Sequence, residues 1–175
     1  MIIALSGKKR SGKDSFYSIV SEYVSVVRPD IPVIKFSFAG CVKEYAKTYF
    51  NVDVSEEEDK EKIRFVLQGI GQMMREEVDK NYWVRKVSDE IKECDRKYNE
   101  YVGIITDTRY KNEAKWAQER ANHLIRIINP RSPVNDSHPS EVELDDFPFK
   151  EFIYNNGTLQ EYQKAVIEWI TRELK

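Results

Sequence analysis

A five-residue apolar run, Met1-Ile2-Ile3-Ala4-Leu5, leads almost directly into Gly7-Lys8-Lys9-Arg10-Ser11-Gly12-Lys13, and from Asp14 onward apolar residues recur at helical spacing. A short, continuous apolar run reads as a strand buried on both faces of a parallel sheet. The segment after it fits GxxxxGK, the phosphate-loop pattern, which carries meaning only between a strand and a helix. Phe16, Ile19, Val20, Tyr23 and Val27 supply that helix, and Pro29 and Pro32 end it. In such a loop glycines let successive backbone N–H groups turn toward an anion. The helix start adds partial positive charge, and Lys13 can reach the β and γ phosphates. Without that context, Lys8, Lys9 and Arg10 would read as a plain basic tract. Asp14 follows Lys13, where the pattern usually has a Ser or Thr hydroxyl on Mg²⁺. Direct or water-mediated metal binding by Asp14 and substitution by Ser15 are both open, with the water-mediated role favoured.

The rest of the chain repeats the strand-then-helix order. Residues 33–38 read as a second strand, and Val42, Tyr45, Ala46 and Tyr49 share one face of a following helix. Ser55 and Glu58 have capping-box spacing for a longer helix. Its apolar side is Ile63, Val66, Leu67, Ile70, Met74 and Val78. Arg64, Gln68, Gly71 and Arg75 line up beside it as a polar stripe. Helix continues over residues 82–96 with Val84, Val87 and Ile91 inward. Residues 102–106 form a third buried strand, Ala114, Trp116, Ala117 and Ala121 mark a helix, and residues 124–128 a fourth strand. Four prolines fall in residues 129–148, which read as a long functional or mobile loop. A brief strand at 152–154, a turn at Asn155-Asn156-Gly157-Thr158 and a helix through Tyr162, Val166, Trp169 and Ile170 complete the pattern. These alternations argue an α/β fold with a five-stranded parallel sheet and helices on both faces, and the Gly7–Lys13 motif between its first strand and helix suits the P-loop nucleoside triphosphate hydrolase type. One domain over 1–175 is expected, with a helical acceptor region at about 40–98 and a lid-like loop at about 129–148.

Composition removes several function classes. With 28 basic against 30 acidic residues the net charge is −2, so no global positive field draws in nucleic acid. Any phosphate binding must be local. Cys41 and Cys94 are the two cysteines and lack CxxC spacing, so neither a zinc site nor a disulfide framework is indicated. The opening apolar run is shorter than the ~7–15 residues of a signal-peptide core, and no other stretch is long enough to span a bilayer. A cytoplasmic location is expected, that of the host if the chain is phage-encoded, with no membrane or nucleic-acid partner.

Asp107 closes the third strand, and ligands of open α/β sheets bind beyond the carboxyl ends of strands, on the rim that holds Lys13. There Asp107 can orient a metal shell or an acceptor, and Arg109 can neutralise phosphate charge. Capping of the next helix by Asp107 and a surface pair for Arg109 are the plainer reading. The Arg64–Arg75 stripe suits an acceptor phosphate, with Gly71 allowing close approach. Glu56, Glu57, Glu58 and Asp59 read as a solvated helix start. His123 reads as a strand-edge residue, and His138 has no metal-site spacing.

With these residues in place, LSGKKRSGKD resembles the phosphate loop of the phage-type deoxynucleoside monophosphate kinases. FAGCVKEYA, LQGIGQMMREEVDKNYWV, IITDTRYKNEA, NDSHPSE and YNNGTLQEY resemble further segments of that family in the same order. The resemblance implies a nucleoside monophosphate kinase fold, ATP with Mg²⁺, and a small-molecule deoxynucleotide acceptor, in a monomer or homodimer. It implies donor-phosphate contacts from Gly7, Arg10, Ser11, Gly12, Lys13, Asp14 and Ser15, with metal near Asp14 and Ser15. Asn155 and Gly157 would lie against the donor adenine, and Arg131 would be a lid arginine. Lys9, Lys43, Arg64, Gly71, Arg75, Trp83, Asp107, Arg109 and Glu113 would surround the acceptor, Trp83 offering a flat face to the base. Lys13, Asp107 and Arg109 are the expected catalytic set. Mammalian-type phosphomevalonate kinases are also similar in their Gly-Lys-Asp loop and Asp-Thr-Arg turn, which makes a small phosphorylated isoprenoid the alternative acceptor. A P-loop switch or ATPase without an acceptor is the third reading.

Overall fold

A computed structural model describes the backbone of residues 1–51, 57–132 and 138–174, and their side chains except those of 57–64. Five strands, β1 (Ile2–Ser6), β2 (Val33–Phe36), β3 (Val102–Thr108), β4 (His123–Ile128) and β5 (Glu151–Tyr154), pair in parallel in the order β2-β3-β1-β4-β5. Seven helices connect or follow them among the described residues: α1 (Lys13–Val27), α2 (Phe38–Phe50), α3 (Glu57–Met73), α4 (Tyr82–Lys97), α5 (Lys111–Arg120), α6 (Pro139–Val142) and α7 (Leu159–Glu173).

Side chains alternate across each strand, so each face of the sheet collects its own core. On one face Ile3, Leu5, Ile104, Ile125 and Ile127 pack with Phe16, Val20 and Val24 of α1 and Tyr162, Val166 and Ile170 of α7. On the other, Ala4, Phe36 and Ile105 meet Phe38, Val42 and Ala46 of α2 and Trp83, Val84 and Val87 of α4. Burial of each such Ile, Leu, Val or Phe contributes about 1.5–3 kcal/mol, which is why the apolar runs of the strands lie at the centre. The chain leaves β1 toward β2 on one side and leaves β3 toward β4 on the other, so the order reverses at β1 and opens a crevice beyond its carboxyl end.

Several sequence expectations shift. The second strand stops at Phe36, because the Ser37 hydroxyl accepts the Gly40 N–H at 3.0 Å and starts α2 earlier than the spacing suggested. The long helix does not run unbroken to Val78: Met74–Val78 forms a π-helical turn. Ile70 and Met74 are buried, but Val66 and Val78 are 44% and 59% exposed, so the apolar side is narrower than expected. Ser55 and the side chains of Glu58, Ile63 and Arg64 lie outside what is described. The loop expected over 129–148 contains α6, begun by Pro139 with His138 as its cap. No helix among the described residues is long and apolar enough to cross a membrane.

Candidate active site

The loop between β1 and α1 has the backbone its glycines foretold. Gly7 and Gly12 sit at φ 153° and 112°, and Arg10 at φ 62°. A Cβ on Gly7 would lie 2.7 Å from the Ile127 carbonyl oxygen, and one on Gly12 would lie 2.7 Å from Asn155 Nδ2. The loop carbonyls are tied from behind. Asn129 Nδ2 donates to Arg10 O at 3.4 Å, Asn155 Nδ2 to Ser11 O at 3.0 Å, and the buried Tyr162 hydroxyl to Gly12 O at 3.0 Å. No side chain caps the start of α1 at Gly12. A concave loop with its carbonyls held away and an uncapped helix start behind it is suited to an anion.

Lys13 is folded into this loop, its Nζ donating to Gly7 O at 2.6 Å and Lys8 O at 2.8 Å. Burial, and then the nearby Arg109 charge, lower its pKa to about 8. Asp14 projects outward with 84% of its side chain exposed and pairs with Lys35 at 2.8 Å, while Ser15, next in the helix, is half-buried. Among the described residues no three His, Cys, Asp or Glu side chains gather as a metal cluster. One exposed carboxylate beside an anion cradle still fits Mg²⁺, which takes one or two carboxylates and completes its shell with phosphates and water.

Beside the loop lies a cavity of about 500 Å³. Phe38, Ala39, Val42 and Leu67 give it an apolar wall, and Lys9, Lys43, Arg75, Asp107 and Arg109 a charged one, with Gln68 and Gly71 between. Asp107 accepts from Ser37 Oγ at 2.8 Å, Phe38 N at 2.9 Å and Ala39 N at 2.8 Å. It therefore caps α2, a helix some 70 residues earlier, rather than the helix that follows it, and the same contacts hold it on the cavity rim.

Arg75 reaches the cavity from the π-helical turn, stacked 4.0 Å over the Tyr110 ring and paired with Glu113 at 3.2 Å. Its Nε is buried with no hydrogen-bond partner among the described residues. A buried donor of this kind is costly unless an acceptor arrives. Glu113 is 1% exposed and also accepts the backbone N–H groups of Arg109 and Tyr110, at 2.8 and 3.1 Å. Burial pushes its carboxyl up to about 7, against the pull of Arg75 and of the amides. Glu113 thus borders the cavity as the brace of Arg75 and of the Asp107-Thr108-Arg109 turn.

Trp83 requires correction. It is 1% exposed, donates its indole N–H to Gly71 O at 3.0 Å, and packs edge-on against Tyr45 and Tyr82 in the core. It does not line the cavity and offers no face to a base. At the far end of the phosphate loop, Arg131 donates to Gly157 O at 2.7 Å, so the expected lid arginine rests on the Asn155–Thr158 turn, next to Ser11 through Asn155. Residues 133–137 of the lid-like loop lie outside the described residues. Glu141 was missed by sequence reasoning: buried on α6, it joins Arg109 to the Lys9 backbone N–H and borders the cavity. Its local signal is slight, a proline at the first position of a four-residue helix.

A parallel sheet whose central strand feeds a Gly-Lys loop into a helix, with a half-apolar, half-cationic cavity alongside, places the chain in the P-loop kinase-like α/β class. Residues 36–166 match the model of the deoxynucleotide monophosphate kinase family, and the chain belongs to that family. A "putative deoxynucleotide monophosphate kinase" of Acanthamoeba polyphaga mimivirus is 35% identical over 68 residues. That match spans 38% of this chain and 35% of the mimivirus protein, so the similarity covers about a third of the relative's length.

Proposed function

We propose that this chain transfers the γ-phosphate of ATP to a deoxynucleoside 5′-monophosphate, giving the diphosphate and ADP. The observation that carries the reading is the juxtaposition of a glycine-shaped phosphate loop with a cavity whose cationic wall, Lys9, Arg75 and Arg109, faces an apolar wall of Phe38, Val42 and Leu67. A monophosphate nucleotide has that same polarity, charged at one end and flat and apolar at the other.

In this reading the loop backbone from Gly7 to Gly12 and the start of α1 hold the donor phosphates, while Asn155, Gly157 and Arg131 lie at the adenine end. Lys13 exchanges its two carbonyl partners for phosphate oxygens. Asp14, through water, or Ser15 would hold Mg²⁺, which neutralises charge on the β and γ phosphates. Arg75 with its unpartnered Nε, Arg109 and Lys9 take the acceptor phosphate, and Lys43 lines the cavity beside them. Asp107 fixes the start of α2 and so the apolar wall for the base. No protein nucleophile is required, because phosphoryl transfer in line depends on positioning and charge neutralisation. The described part of the lid-like segment borders the cavity at His138 and Glu141 and in this reading shields the phosphates from water.

The test is ADP release from Mg²⁺-ATP measured across the common ribo- and deoxynucleoside monophosphates, with phosphomevalonate as a further acceptor. Stimulation by one or more deoxynucleotides is expected. Stimulation by phosphomevalonate alone, or by none, would overturn the proposal.

A further inference from the structure

The segment that carries α6 is fastened to the phosphate loop, to β4 and to the start of α5. Lys8 Nζ donates to the Glu141 carbonyl at 2.6 Å and pairs with Asp145 at 2.6 Å, and Asp145 in turn holds Arg126 of β4 at 3.1 Å. Lys111 N, at the start of α5, donates to Glu143 Oε1 at 2.8 Å. These side chains are partly solvated, with Asp145 49%, Lys8 30% and Arg126 14% exposed. Glu141 is the exception, with 4% of its side chain exposed. Its two carboxylate oxygens divide between partners from different loops. Oε2 accepts the Lys9 N–H of the phosphate loop at 2.8 Å, and Oε1 accepts from Arg109 Nη1 on the turn after β3.

We infer that Glu141 is a positioning residue, which locks the phosphate loop and Arg109 into one unit so that the donor and acceptor phosphates are presented at a fixed separation. The inference rests on the kinase reading above and adds to it a residue from outside both phosphate-binding elements. Its chemistry follows from the partners. A buried carboxylate tolerates desolvation only when charged and amide donors satisfy it, and here a guanidinium and a backbone N–H do so. Arg109 has five N–H donors in a planar fork, so the edge not engaged by Glu141 remains for an acceptor phosphate. Small shifts in the separation of reacting groups are expensive in phosphoryl transfer, which gives such a lock its purpose.

The test uses the full chain with Glu141→Gln, which keeps the shape but has one oxygen where two are needed, and Glu141→Asp, which keeps the charge but shortens the reach. Amide exchange over residues 7–12 is read first and needs no substrate. Faster exchange at Lys9 in both variants is expected, and unchanged exchange overturns the proposal. Turnover is read second, with ATP and whichever deoxynucleoside monophosphate the wild-type chain uses best. Glu141→Gln should lower kcat/KM for the monophosphate on the order of ten- to a hundredfold, the scale of one charge-assisted hydrogen bond. In an Arg109→Ala background the same change should cost less than about threefold, because residues acting as one unit are non-additive. Equal losses in both backgrounds would mark a general structural role and overturn the proposal; if Glu141→Gln fails to fold, the Glu141→Asp cycle decides. A wild-type chain that phosphorylates no monophosphate overturns the kinase reading instead, and Lys9 exchange then decides whether the lock exists.

Discussion

Trp83 donates its indole N–H to the carbonyl oxygen of Gly71 at 3.0 Å, which sets the ring behind the cavity wall and makes it a support for that wall. Trp83→Phe removes this bond and part of a buried ring. It should cost about 1–3 kcal/mol of stability, read as a lower Tm, while leaving the ranking of bases by kcat/KM unchanged. A change in base preference without loss of stability would return Trp83 to the ligand.

Gly12 makes a second prediction, because its φ of 112° and the 2.7 Å between a built Cβ and Asn155 Nδ2 exclude a side chain on two independent grounds. Asn155 cannot retreat without releasing Ser11 O. Gly12→Ala should cost about 1–3 kcal/mol from backbone strain. It should also weaken ATP binding measured by titration calorimetry, although no group that touches phosphate has been removed.

Glu113 gives a pH dependence. Its folded pKa of about 7 lies above the ordinary 4.5, so the folded chain keeps a proton that the unfolded chain has lost between those values. Stability therefore falls as pH rises from about 4.5 to about 7, and this contribution is level above that. Thermal unfolding followed across that range should show the decline in the wild type and a flatter profile in Glu113→Gln. Identical profiles would place the proton elsewhere.

The phosphate loop was legible because everything that makes it is local: the apolar run, the two glycines and the helical spacing after Lys13 lie within about thirty residues. The parallel sheet was legible for the same reason, from its central strands β1 and β3, which are buried on both faces. Asp107 was half legible. Its place at the end of β3 could be read, but the amides it caps, Phe38 and Ala39, lie about seventy residues away and are joined to it only by sheet pairing. Glu141 ends the NDSHPSE segment, but its role was illegible because both partners of its carboxylate come from other loops. Trp83 carried a usable signal, since it stands one helical turn before Val87, a position already read as inward. The family likeness implied a base contact instead, whereas the ring is 1% exposed behind the cavity wall. The π-helical turn at Met74–Val78, which swings Arg75 toward Glu113, has no clear mark in the sequence.

Lys13 should be indispensable to chemistry. Lys13→Met is expected to fold and to lose about 3–4 kcal/mol of transition-state stabilisation, the scale of one well-placed oxyanion donor. That loss is read as a kcat lower by two to three orders of magnitude. Near-normal turnover would remove the phosphate loop from the mechanism.

Transfer and hydrolysis are distinguished by following the label from γ-³²P-ATP with Mg²⁺ and the best deoxynucleoside monophosphate, with products separated by chromatography. Direct transfer predicts label in the deoxynucleoside diphosphate in equal amount to the ADP formed, and little free phosphate. Label released only as inorganic phosphate, at a rate indifferent to the monophosphate, would show an ATPase and contradict transfer to a nucleotide.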